Sequence, residues 1–207
     1  MFIGWYLCAK EPGVSAAEVA ASLPSIEEII EMSPQTNASV FANWQFTNLF
    51  VVVALVWEKL ERPAEALRYA TAALQNDLAN CGTIAPGTRC EAHVVQGRAQ
   101  AALGHAAAAA DAFEAAVDLA AEHGFWLYQA LALKDLKQFV LDDLGHPDHA
   151  ARRLGAALRL LKGPAELLTP LMDGLDAGQL MSMSPPDPKH EINYGDAETQ
   201  CVEEASA

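Results

Sequence analysis

The chain has 207 residues, of which 13 are Lys or Arg and 27 are Asp or Glu, giving a formal charge of −14. An acid excess of this size repels phosphate backbones and anionic membrane surfaces, which argues against a nucleic-acid or lipid binder. An apolar share of 52% supplies a real core, and 40 alanines with only 19% charged residues point to helices packed closely through small side chains.

Residues 1–38 are expected to form an N-terminal segment and capping helices. The apolar start, with Phe2, Ile3, Trp5, Tyr6 and Leu7, has no basic residue before Lys10 and so does not read as a secretory signal. It reads as a segment that packs on something, compatible with the chain being a fragment of a larger protein. Ser15 to Ser22 and Pro24 to Met32 follow as short helices, with Ser25 as a cap for the second.

From Met32 to Trp57 there is no charge, but only Leu49 to Trp57 is continuously apolar. That run is too short for a hydrocarbon core of about 30 Å, so no membrane span is expected and a buried helix from about Ser39 to Leu60 is. Arg62-Pro63 opens the next helix, which fades by Asn80. Asn80 to Thr88 (NCGTIAPGT) reads as a loop. Further helices run from Cys90 to Leu103, Ala106 to Glu122, Phe125 to Leu144 and Pro147 to Lys162, punctuated by Gly104, Gly124, Gly145 and Gly163. Residues 164–181 read as a C-terminal capping helix through Leu167, Leu168, Leu171, Met172 and Leu175. Residues 182–207, rich in Pro and acid, read as a disordered tail.

The helices pair around three similar turns, LERPAEAL, LGHAAAAA and LGHPDHAA. Ala66, Ala109 and Ala150 lie five positions beyond the turn residue of each, and Ala73, Ala116 and Ala157 seven further on. Antiparallel helices cross closely only where Cβ atoms are small, which gives such positions their physical role. In the second pair, Gly97, Ala99, Gly104, Ala109, Phe113 and Ala116 follow the small-small-Gly-Ala-aromatic-Ala order of the tetratricopeptide (TPR) repeat. The stretch 39–163 thus resembles the TPR family, with pairs at about 39–79, 89–122 and 125–162. The equivalent alanines lie 43 and 41 residues apart, similar to the longer variety of about 42 residues and not the common 34. In the first pair Glu61 replaces the turn Gly, and in the third Gln138 stands where a small residue is expected. An unrelated Ala-rich helical bundle is the alternative.

The resemblance implies an all-α, right-handed superhelical array of antiparallel helix pairs, three units plus capping helices. It also implies a concave groove lined by the first helix of each pair. Carried onto this sequence, the groove residues are Asn48, Val51, Leu55, Glu58 and Lys59, then Glu91, Val94 and Arg98, then Asp135, Phe139 and Asp142. Val51, Leu55, Val94 and Phe139 would form an apolar floor, and Glu58, Glu91, Asp135, Asp142 and Asp143 an acidic rim. Val51 and Leu55 stand where the co-chaperone type carries Lys and Asn for a terminal carboxylate, so a carboxylate clamp is disfavoured. The alternative reading of Val51, Leu55 and Phe139 is ordinary core.

Catalytic constellations do not emerge. No Ser occurs between Ser39 and Ser182, which removes a nucleophile elbow from the helical body. GTIAPGT (Gly82 to Thr88) lacks the Lys of a phosphate loop and follows a helix. Cys81, Cys90 and His93, like His146 and His149, lack the second close pair that structural zinc needs. Four cysteines at irregular spacing suit reduced thiols and a cytoplasmic setting. Arg152, Arg153, Arg159 and Lys162 cluster on one helix, where they complement its dipole or dock an acidic partner, the chain's own tail included. The expected function is therefore a non-catalytic protein–protein interaction module without cofactor or metal. Its partner would be a protein or peptide, amphipathic or basic, and self-association is compatible with such a surface. The alternative is a ligand-sensing or self-assembling regulatory helical-repeat domain.

Overall fold

Every regular element of the described residues is helical, as the Ala-rich composition and the absence of strand periodicity predict. The structure, a computed structural model, describes residues 15–32, 40–80, 86–142, 146–162, 168, 172 and 175–186. The helices are α1 (Ala16–Ser22), α2 (Ile26–Met32), α3 (Val40–Lys59), α4 (Pro63–Asn80), α5 (Pro86–Ala102), α6 (Ala106–Glu122), α7 (Trp126–Leu136), α8 (Pro147–Leu160) and α9 (Ala177–Ser182). The N-terminal residues 1–14, residues 187–207 of the disordered tail expected over 182–207, and most of residues 164–174 of the capping helix expected over 164–181 lie outside the described residues.

Local chemistry sets the helix ends. Ser15 and Ser25 each accept from the backbone N–H three residues on, while Glu18 and Glu28 reach back to the cap N–H, forming two capping boxes. At the end of α3 the Arg62 N–H bonds the Trp57 carbonyl and the Glu61 N–H bonds that of Glu58. This double closure places Glu61 at φ 56°, the left-handed turn conformation usually given to Gly. Gly124 at φ 69° closes α6 in the same way, with Phe125 N–H on Ala120 and Gly124 N–H on Ala121.

Contacts divide the chain into two units, Met1–Leu103 and Gly104–Ala207. The division falls inside the pair expected over 89–122, so α5 belongs to the first unit and α6 to the second. In the first unit α3 packs on α4 and α5, and α4 on α5. Leu49, Phe50, Val51, Val53, Ala54 and Val56 are all buried, so α3 is enclosed on nearly every side over this stretch. The lack of charge from Leu49 to Trp57 reflects that central position, and no helix among the described residues is long and apolar enough to cross a membrane. Thr47 on α3 accepts from the Asn76 side chain on α4, and Tyr69 donates to the Pro24 carbonyl, fixing the segment between α1 and α2.

In the second unit α7 packs on α6 and α8, and α8 carries α9. Residues Ala132, Leu133, Lys134, Asp135 and Leu136 are buried consecutively, making α7 the enclosed helix here. The helix expected to run unbroken to Leu144 instead widens at Lys137–Leu141 into a π-helical turn, with the Asp142 N–H on the Lys137 carbonyl. In both units the crossing alanines are buried, from 0% exposure at Ala66, Ala73, Ala109 and Ala116 to 3% at Ala157.

Candidate functional site

The candidate residues of the first unit gather on one seam between α3 and α5. Thr88 Oγ1 on α5 donates to Asn48 Oδ1 on α3 at 2.7 Å, and Arg98 Nη1 meets Glu58 Oε1 at 3.3 Å. Both contacts join residues 40 apart. A constant difference along two helices means that α3 and α5 run parallel and in register; antiparallel helices would keep the sum constant. The same register sets Val51 opposite Glu91 and Leu55 opposite Val95. Lys59, next along α3, is exposed.

Thr88 is not in a loop, as the sequence reading has it, but in the first turn of α5. Pro86 opens that helix, because its missing N–H costs nothing at a helix start and its φ is already helical. The phosphate-loop likeness ends there too, since Thr88 spends its hydroxyl on Asn48; residues 82–85 lie outside the described part.

Burial shapes the chemistry of α5. It pushes the Glu91 carboxyl above its usual range, opposed by the positive charge of Arg98. It holds the His93 imidazole below its usual value, with the Arg89 charge acting in the same direction. The Cys90 thiol is pushed up to about 11 by burial, so it is neither a ready nucleophile nor a ready thiolate ligand. Cys81, its companion in the metal string, lies outside the described residues, and among the described residues no three His, Cys, Asp or Glu side chains group to hold a metal. Glu58 Oε2, the carboxylate oxygen not given to Arg98, is buried without a hydrogen-bond partner among the described residues.

The apolar floor is only partly open. Val51 is 1% exposed and belongs to the core of its unit, Val94 is buried, and Leu55 is half-buried against that core. In the second unit the candidates do not share one surface. Asp135, read as a rim charge, is buried, with Lys134 Nζ 3.4 Å from its carboxylate, because α7 is enclosed on all sides there. Phe139 lies on the π-helical turn, 39% exposed, its ring stacked on Phe113 at 6.4 Å between centroids. Asp142 is exposed and takes both bonds of the Lys137 ammonium at 2.7 Å. Asp143 lies outside the described residues.

Of the basic cluster, Arg153 and Arg159 are engaged within their own unit. Arg153 forks onto Glu114 of α6 at 2.5 and 2.6 Å, and Arg159 donates to the Met181 and Met183 carbonyls at 2.7 and 2.9 Å. Arg159 thus does meet the C-terminal part of the chain, through main-chain oxygens and not through an acidic side chain. Comparison with protein-family models, with curated proteins and with solved structures finds no match.

Proposed function

We propose that the chain is a non-catalytic, TPR-like helical-repeat module that takes a basic or amphipathic peptide or helix along the α3–α5 seam. The carrying observation is the parallel register of α3 and α5, which brings Asn48, Leu55, Glu58, Glu91 and Arg98 from two consecutive helix pairs onto one line. Parallel first helices at a constant sequence offset are the packing a repeat array needs. At the end of that line the Glu58 side chain, beside Arg98, is 27% exposed, a carboxylate that a partner's Lys or Arg can approach. The chain's acid excess would draw such a partner by steering.

The test is titration of the full chain with a fluorescent Leu/Lys amphipathic peptide and its Leu/Glu counterpart. The Lys peptide should bind more tightly, with an affinity that falls as salt rises, and Glu58→Lys should weaken it about tenfold or more while leaving the helical dichroism unchanged. Equal binding of both peptides, or indifference to Glu58→Lys, would falsify the seam. The docking of α9 on α8 favours a second reading, a self-regulating helical-repeat domain.

A further inference from the structure

A helix of six residues such as α9 is not stable on its own, since isolated helices shorter than about 12–15 residues are marginal in water. It is held by Asp176, which caps its start by accepting from Gly178 and Gln179, and by α8. Ala177 and Leu180 are its buried side chains. The rest of the contact is main chain. A Cβ on Gly155 would lie 2.0 Å from the Leu180 carbonyl oxygen and 2.7 Å from its carbon, so the α9 backbone rests directly on the α8 backbone. Arg159, one turn further along α8, takes the Met181 and Met183 carbonyls that the end of a helix leaves without partners. Ala151 and Leu158, both buried, continue the Gly155 stripe a turn to either side.

We propose that this stripe of α8 is a helix-accepting seat which the chain's own α9 fills as a releasable latch. The seat reads little sequence: a small residue, a leucine three positions on, and a helix end with free carbonyls. The seat lies in the second unit and is independent of the α3–α5 seam, so either can fail without the other.

Hydrogen exchange on the full chain tests the release. The α9 amides should be protected at least about 100-fold less than those of Leu133 to Leu136, and Arg159→Ala should lower α9 protection further without changing α7. The acceptance is tested with an acetylated synthetic peptide of residues 175–186. The full-length Leu180→Asp chain, its latch weakened, should bind this peptide at least about tenfold more tightly than the wild type, in which the tethered helix competes at high effective concentration. Adding Gly155→Leu should abolish that binding. Equal protection of α9 and α7, peptide binding no better in Leu180→Asp than in wild type, or loss of α6–α8 protection in Leu180→Asp would each overturn the latch.

Discussion

Arg98 meets Glu58 across a spacing of 40 residues, and Thr88 repeats that spacing with Asn48. In the second unit Arg153 meets Glu114 across 39. These offsets are numerically close to the 43 and 41 residues between the equivalent alanines of the sequence, as the proposed repeat would require. Side chains ten residues apart on α3 keep their partners ten apart on α5, which demands parallel axes over nearly three turns.

The Glu58–Arg98 pair should show measurable coupling, because each side chain is 27% exposed and so sits between a solvated and a buried pair. A double-mutant cycle with Glu58→Gln and Arg98→Met, read by urea unfolding, is expected to give about 0.5–1 kcal/mol, reduced by salt. Zero coupling at low salt would mean that the seam register does not depend on this contact.

Ala73 and Ala116 are both fully buried at positions where helices cross. Replacing either with Leu should cost about 1–3 kcal/mol by overpacking, since the crossing distance is set by a methyl group. Ala64, exposed on α4, is the control and should accept Leu with little change. Denaturation midpoints that fail to separate the buried sites from the control would sink the crossing assignment.

Glu61 and Gly104 occupy equivalent turn positions and both have positive φ, 56° and 81°. A side chain in the left-handed region costs roughly 1–2 kcal/mol, whereas Gly pays more entropy on folding. Glu61→Gly should therefore stabilise by up to about 1 kcal/mol. Gly104→Ala should cost about 1 kcal/mol for conformation alone, because nothing lies within 4 Å of its Cβ position. If both prove neutral in urea unfolding, the turn conformations are wrong.

Much of this architecture was legible because helix ends carry local chemistry. Ser25, Pro63, Gly104 and Pro147 mark their boundaries by capping, fixed φ or left-handed φ, and the structure puts helix ends beside each. Two features left no such mark. No residue type announces the π-helical turn at Lys137–Leu141. Asp135 is buried, because enclosure by neighbouring helices is a tertiary fact that a position within a repeat unit cannot supply. At the candidate site, Pro86 was the available signal that α5 begins before Thr88. Gly155 could have been singled out as a glycine inside an Ala-rich helix, where only a close approach repays its entropy.

The pH response of the seam follows from Glu91 and His93, two residues apart on α5. Burial raises the Glu91 pKa above 4.5, so the folded state holds this proton more tightly than the unfolded chain. Its contribution to stability is full below 4.5 and is lost as pH rises through the raised value. Burial lowers the His93 pKa below 6.5, so the unfolded chain takes that proton first. Its contribution is full above 6.5 and is lost as pH falls through the lowered value. Urea midpoints measured from about pH 4.5 to 8 should therefore show Glu91→Gln gaining on the wild type as pH rises, and His93→Gln gaining as pH falls. Comparing each variant with the wild type at the same pH cancels the titration of the other carboxylates. A Glu91→Gln chain that loses ground toward high pH would mean the carboxylate is held by attraction to Arg98 more than it is penalised by burial. The seam would then be a salt-bridged surface and not the half-buried one described.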